Sequence, residues 1–212
     1  RTFNRKNVEL VTEGVQEVRE HSIVTSDGVE RPMDCLILGT GFIVDPRIYM
    51  KSFELRGLNG HTVQEDWKVS PTSYYGITTA NYPNMYQLVG PHTGLGHNSI
   101  IFMIEAQVNY IIQCMKLVKD KGVDYIDVKP EAMTRFLGEM TAALKGTVWS
   151  SGCKSWYQTA DGINFAIWPK STWRYWLETL KVQTADYRFV KCAAQSAPQG
   201  SGSGRVAHAV TA

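Results

Sequence analysis

A glycine-rich stretch holds the residue types most able to bind a ligand. Residues 90–99 read GPHTGLGHNS, and the six residues from Gly94 come close to the glycine fingerprint of dinucleotide-binding turns. In that fingerprint the first glycine follows a strand directly, whereas here GPHT intervenes and Ser99 replaces the last glycine. Three interpretations stay open: a phosphate cradle, a structural strand-to-helix turn, or a helix start whose amides face an anionic or electron-rich group that is not a phosphate.

Other candidate sites are less specific. A Gly-Thr-Gly turn at 39–41 ends the apolar run 35–38, and such a turn either lets the backbone approach a ligand or only ends a strand. His92 and His97 lack a third ligand at useful spacing, so we expect no metal site. No serine lies in a G-x-S-x-G elbow, so the sequence does not support a hydrolase nucleophile.

Hydrophobic patterning predicts the elements that position these residues. Strands are expected at 8–11, 15–18, 22–25 and 123–128, a turn at 26–28, and a strand at 35–38 that is buried on both faces of a parallel sheet. Apolar spacing predicts a helix over 99–119, with an inward stripe of Ile100, Ile104, Val108, Ile111, Met115 and Val118. A second helix is expected over 130–145, with Met133, Phe136, Leu137, Met140 and Leu144 facing inward.

Composition excludes several classes of function. A net charge of +2 over 212 residues, with no basic run, argues against nucleic acid as a partner. No run of about 18 apolar residues occurs, so we expect no membrane span. The four cysteines form no C-x-x-C pair, which favours free thiols in a reducing cytoplasm. The chain begins with Arg1 without a signal-peptide pattern, and we expect it to begin inside a longer protein.

The C-terminal third is dense in aromatic residues over 147–190 and then changes to Ser, Gly, Ala and Pro. We expect the aromatic residues to form a core or a cap that packs against another domain. Trp156, in GCKSWY, either lines a ligand or packs internally. Residues 195–212 are too poor in apolar bulk to fold and are expected to form a flexible tail.

Four segments in this order resemble the C-terminal part of a class B flavin-dependent monooxygenase of the Baeyer–Villiger type. They are NVELV…DGVERPMDCLILGTGF (7–42), GLNGHTVQEDW…YYGITTANYPNMYQLVGPHTGLGHNSIIFMIEAQVNYI (57–111), GCKSWY (152–157) and INFAIWP (163–169). The resemblance implies an α/β fold that is the C-terminal portion of a flavoprotein with two Rossmann-like dinucleotide-binding domains, incomplete on its own. It implies the end of the NADPH-binding domain and a return strand at 1–42, the C-terminal part of the FAD-binding domain at 43–125, a helical, aromatic cap at 126–194 and the tail at 195–212.

The same resemblance implies site residues. Those expected to bind cofactor are Gly39, Thr40, Gly41, Phe42, Gly90, Pro91, Asn98 and Ser99, together with Trp156 as a lid over NADPH. Those expected to border the substrate are Leu95, His97 and Ile100. The sequence contains neither of the family's glycine fingerprints nor its F-x-G-x-x-x-H-x-x-x-W motif, so FAD and NADPH are expected to be held mainly by a missing N-terminal part, and no catalytic residue is assigned.

The function that the resemblance implies is oxygen insertion. The parent enzyme would use NADPH, FAD and O2 to convert a small-molecule ketone into an ester or lactone, and this chain alone would be inactive. Two alternatives stay open: a flavin-containing N- or S-oxygenase of the same architecture, and a non-catalytic module that packs against a partner through its aromatic surface.

Overall fold

The computed structural model describes residues 1–152 and 155–192, and the chain divides into two compact units, Arg1–Phe42 and Ile43–Ala212. The predicted tail and Cys153 lie outside the described residues. The first unit has the same bounds as the segment predicted to end an NADPH-binding domain, and that assignment stays a prediction.

The first unit is built on a small antiparallel sheet. Its strands are Val15–Val18 (β1), Ser22–Thr25 (β2) and Glu30–Pro32 (β3), with β2 in the middle, and a 3-10 turn at Thr2–Asn4 precedes them. The strands predicted at 15–18 and 22–25 are confirmed. The turn between β2 and β3 is confirmed as well, because Gly28 adopts φ +80° and donates its amide to the Thr25 carbonyl.

Two predicted strands in this unit are wrong. Residues 8–11 and 35–38 form no strand, and the Ile37 and Leu38 side chains are 88% and 74% exposed. A continuous apolar run becomes a buried strand only where neighbouring strands and layers cover both faces. In the described part of this unit, the sheet pairs β1, β2 and β3 only, so 35–38 has nothing to cover it.

The second unit contains the helices and a two-stranded sheet. The helices are Pro46–Tyr49 (α1), Val63–Asp66 (α2), Ile100–Lys121 (α3), Pro130–Leu144 (α4) and Thr172–Thr179 (α5); the strands Tyr125–Val128 (β4) and Tyr187–Val190 (β5) pair antiparallel; 3-10 turns lie at Met50–Ser52, Leu58–Gly60, Val148–Ser150 and Thr184–Asp186. The two predicted long helices and the strand within 123–128 are confirmed with small shifts at their ends. The sequence patterns did not predict α5 or β5.

Side chains from both sides of the expected boundary at residue 125 share one core. Its largest members are Tyr74, Ile77, Met103, Tyr110, Ile126, Phe136, Met140, Trp168, Tyr175 and Tyr187. The predicted inward face of α4 is confirmed: Phe136, Met140 and Leu144 are buried, and Met133 and Leu137 pack against the core.

The face of α3 that packs in this core overlaps the predicted stripe only in part, since Ile100, Ile111 and Val118 of that stripe pack against the core. Met103, Gln107, Tyr110 and Cys114 are buried with Ala106, whereas Val108 and Met115 of the predicted stripe are exposed. The helix is apolar around most of its circumference, so periodicity does not decide which face is inward. A second apolar stripe, Ile101, Val108, Ile112 and Met115, remains 40–59% exposed. We call it the outer stripe.

By length and composition, α3 is also able to cross a membrane. The core helix of a soluble protein meets the same criterion, and α3 contributes buried side chains to the core and packs against α5. This finding is weak evidence for a span.

An ion pair with a buried carboxylate joins β4 to β5. The Asp127 side chain is fully buried, accepts the Asn81 amide at 3.0 Å and pairs with the half-exposed Arg188 guanidinium. Burial raises the pKa of Asp127, while Arg188 and the Asn81 amide act against that rise.

The loop between Tyr74 and Thr93 folds back on itself through two glycines. The Gly90 amide donates to the Gly76 carbonyl at 3.2 Å, and a methyl group at Gly90 would lie 2.5 Å from that carbonyl oxygen. Because the Gly76 carbonyl is a backbone group, it has little freedom to move away from an added methyl group. Thr93 Oγ1 donates to the Gly90 carbonyl at 2.5 Å and completes the turn.

We predict that Arg188→Leu lowers the stability of the protein by about 3 kcal/mol at neutral pH, because it leaves the Asp127 carboxylate buried and unpaired. The loss should shrink as the pH falls through the folded-state pKa of Asp127, since the protonated acid needs no cation. Thermal melts from acidic to neutral pH measure this. Arg56→Leu removes an exposed pair with Glu54 and serves as the control, with little expected effect. A loss that does not depend on pH would contradict the explanation.

We also predict that Gly90→Ala destabilises the protein by roughly 2 kcal/mol, because the added methyl group overlaps the Gly76 carbonyl. Gly138→Ala, within α4, is the matched control: its methyl group would meet nothing within 4 Å, and alanine favours the helix. Thermal midpoints of the two variants decide the question. Equal midpoints would show that the Gly76–Gly90 approach is not tight.

Candidate functional site

A cleft of about 740 Å³ opens on the second unit beside the glycine loop. Its lining in the described residues includes no Asp, Glu, Lys, Arg or His. The principal lining residues are Ile43, Val44, Pro46, Tyr49, Met50, Phe53, Leu55, Val63, Trp67, Met85, Tyr86, Gly90, Pro91, Leu95, Ile100, Trp156, Tyr157 and Phe165. Such a surface suits a flat or bulky apolar group and offers no cation to a phosphate.

Backbone pairing fixes the glycine loop on one side of this cleft. The Gly94 amide donates to the Ala166 carbonyl at 2.7 Å, and the Trp168 amide donates to the Gly94 carbonyl at 2.9 Å. On the N-terminal side of this contact, the His92 amide donates to the Phe165 carbonyl at 2.7 Å. The loop and residues 165–168 therefore form a short parallel pairing that carries Leu95 and Phe165 to the cleft wall.

The two loop histidines are in different environments. His92 is buried against Phe136, with φ +63°, and burial lowers its pKa to about 4, so the ring is neutral at neutral pH. Its Nδ1 has no hydrogen-bond partner among the described residues. His97 is exposed. In the described part of the chain, no three metal-ligating side chains come together.

The start of α3 is capped by its own side chains. Ser99 Oγ accepts the Ile101 amide at 3.3 Å, and Asn98 Oδ1 accepts the Ser99 amide at 2.7 Å. Asn98 Nδ2 also donates to Thr172 Oγ1 at 2.8 Å, which joins this end of α3 to α5. The Ser99 amide is therefore occupied by Asn98, and a ligand at this helix start would compete with that bond.

The structure brings some of the predicted site residues together and leaves others apart. Five line the cleft: Gly90, Pro91, Leu95, Ile100 and Trp156. Three lie at the exposed start of α3 and outside the cleft lining: His97, Asn98 and Ser99. Four are exposed in the irregular end of the first unit: Gly39, Thr40, Gly41 and Phe42. Their cofactor and substrate roles stay predictions.

Residue spacing does not predict most of the aromatic side chains that line the cleft. Tyr49, Trp67, Tyr86, Tyr157 and Phe165 line the cleft but were not predicted as site residues. The indole Nε1 of Trp67 is buried without a hydrogen-bond partner among the described residues. All of these except Tyr49 lie inside the segments that carry the family resemblance. The resemblance therefore pointed to these residues, whereas their spacing in the sequence did not.

Two curated relatives define the similarity in sequence. A Baeyer–Villiger monooxygenase of Pseudomonas aeruginosa is 37% identical over 183 residues, which is 85% of this chain and 34% of the relative. An FAD-binding monooxygenase of Aspergillus niger is 33% identical over 210 residues, which is 97% of this chain and 33% of the relative. The chain thus spans about a third of the length of the curated relatives it matches. No protein-family model matches the chain.

A solved structure supports the same grouping. The cyclohexanone monooxygenase of Rhodococcus sp. Phi1, crystallised with NADP+, superposes with a TM-score of 0.70 and 27% identity, over 90% of this chain and 37% of that protein. In sequence and in fold, the chain therefore corresponds to a C-terminal part of the flavin-dependent monooxygenases of the Baeyer–Villiger type.

Proposed function

We propose that this chain is part of an NADPH- and FAD-dependent monooxygenase that inserts one oxygen atom of O2 into a ketone to give an ester or lactone. The observation that carries the proposal is the cleft. It gathers five residues that the family resemblance assigns to cofactor or substrate, on a chain 37% identical to a Baeyer–Villiger monooxygenase over 183 residues. The proposed location is the cytoplasm, in keeping with the free thiols of Cys35, Cys114 and Cys192.

The cleft fits the ring of a flavin better than its diphosphate. Aromatic and aliphatic walls accept a flat ring system. The lack of Lys and Arg among the described lining residues leaves the phosphates of FAD and NADPH without partners here. We therefore assign the phosphate contacts to polypeptide outside this chain.

The residues of this chain would orient the reactants and exclude water. Bound FAD, once reduced by NADPH, would supply the chemistry that activates O2. Leu95 and Ile100 would border the ketone, while Gly90 and Pro91 would form the part of the wall beside the ring. The neutral His92 behind the loop adds no charge to this apolar environment. Trp156, 47% exposed at the cleft edge, would close over NADPH.

The outer stripe of α3 is the proposed contact with the missing part of the same enzyme. A helix that is apolar on two faces normally buries both. The core covers only one of them, and about two thirds of the relatives' length lies outside this chain. We therefore propose that the parent's N-terminal polypeptide covers Ile101, Val108, Ile112 and Met115.

To test the activity, Leu95→Trp in the full-length parent should lower kcat/KM for cyclohexanone by at least about tenfold, because an indole would displace the ketone from its reacting position. The measurement is cyclohexanone-dependent NADPH oxidation together with lactone formation. Val69→Trp, at an exposed position outside the cleft lining, is the control and should leave the rate unchanged.

The wild-type parent separates the alternatives in the same assay. Lactone formation supports the proposal, whereas oxidation of an amine or sulfide without any lactone would favour the N- or S-oxygenase. A full-length protein that contains no flavin and consumes no NADPH would favour the non-catalytic module. Either of the last two results would overturn the proposed function.

To test the outer stripe, Ile112→Glu in the full-length parent should lower both the thermal midpoint and the FAD content, because it buries an unpaired charge between the two parts of the enzyme. Asn109→Glu introduces the same charge at an exposed position on the same helix and should change neither. If Ile112→Glu leaves the FAD content unchanged but breaks a dimer, the outer stripe binds a second copy of the protein. If the only effect of Ile112→Glu is that the protein no longer co-sediments with phosphatidylcholine vesicles, the outer stripe binds a membrane. Both results contradict the proposal.

A further inference from the structure

Gly96 makes room for an aromatic ring from a distant part of the chain. A methyl group built on Gly96 would lie 2.5 Å from Cη2 and 2.7 Å from Cζ2 of Trp149. Real Cβ atoms do not approach ring carbons so closely, so the indole edge occupies the space that any other residue at this position would need. The contact joins the glycine loop to the 3-10 turn Val148–Ser150.

Trp149 in turn contacts the residues that form the edge of the cleft. Its ring packs edge-on against Tyr157, with centroids 5.3 Å apart, and its carbonyl accepts a hydrogen bond from Gln158 Nε2 at 3.0 Å. Tyr157 packs against Trp156, with centroids 4.0 Å apart, and both line the cleft. A chain of direct contacts thus runs from Gly96 through Trp149 and Tyr157 to Trp156.

We propose that Gly96 and Trp149 form a positioning contact that sets where the Trp156–Tyr157 pair stands over the cleft. Trp149 is absent from the cleft lining, so it acts through Tyr157 as a positioning residue. Because the indole is rigid and Gly96 offers no alternative packing, moving either partner moves the pair. The inference rests on the proposed function only for the identity of the ligand that the pair covers.

The geometry favours this role over simple core packing. Trp149 lies outside the main buried core, and Trp156, at the other end of the contact chain, is about half exposed. A ring that served only stability would be expected among buried partners. Here it connects a loop and a segment that meet at one cleft.

The first experiment follows the ring positions directly. Full-length parent protein labelled with 5-fluorotryptophan gives 19F resonances that Trp149→Phe and Trp156→Phe variants assign. Gly96→Ala should shift the resonances of both Trp149 and Trp156, whereas Gly138→Ala, in open space on α4, should shift neither. This readout needs neither turnover nor ligand, so it stands even if the proposed function fails.

The second experiment measures the consequence for binding. Gly96→Ala should raise the Kd for NADP+, followed by flavin absorbance, by about fivefold, as expected for one displaced aromatic contact. In a Trp149→Leu background, the same substitution should change the Kd by less than about twofold, because the steric conflict is gone. The Gly96→Ala/Trp149→Leu double variant also guards against a Gly96→Ala protein that fails to fold.

Three results would overturn the proposal. An unmoved Trp156 resonance in Gly96→Ala would show that the contact does not reach the cleft. Additive effects of Gly96→Ala and Trp149→Leu on the Kd would show that the two residues act separately. Fluorine shifts as expected with an unchanged Kd would show that the pair's position does not matter to NADP+. A wild-type parent that binds no NADP+ would instead refute the proposed function.

Discussion

Close approach of backbone segments around the glycine loop is the constraint on which the candidate site depends. Gly90 lies against the Gly76 carbonyl, and Gly94 is held between the Ala166 carbonyl and the Trp168 amide. A side chain at Gly90 would overlap the Gly76 carbonyl. Since the loop and the segment paired with it both contribute residues to one side of the cleft, these backbone contacts help to determine the shape of the cleft.

The charges around the cleft support the proposed assignment of the phosphate contacts to polypeptide outside this chain. The described lining of the cleft is mostly apolar and has no charged side chain, and burial keeps His92 of the glycine loop neutral. Such an environment suits a ring and a ketone but gives phosphates no counter-charge. The glycine fingerprints that would bind phosphates are also absent from the sequence, so two independent observations support the same assignment.

The two apolar faces of α3 show why a part of a protein can be misjudged from its pattern. One face packs in the core of the second unit, where Tyr110 contacts Tyr187. The outer stripe is equally apolar and stays exposed. The exposed run 35–38 in the first unit is a similar case, since a strand that is apolar on both faces requires two covering layers. Both features are intelligible as surfaces of a larger protein.

Local patterns were enough to predict several of the helices, strands and turns and the likeness to the family. Helices α3 and α4, strands β1 and β2, and the Gly28 turn follow from periodicity and turn chemistry, which act between near neighbours. Tertiary structure alone decided which face of α3 is inward, because both are apolar. It also decided that Trp67, Tyr157 and Phe165 meet Leu95 at one cleft, and that Trp149 fills the space beside Gly96. Those contacts join residues far apart in the chain, and residue spacing carries no information about them.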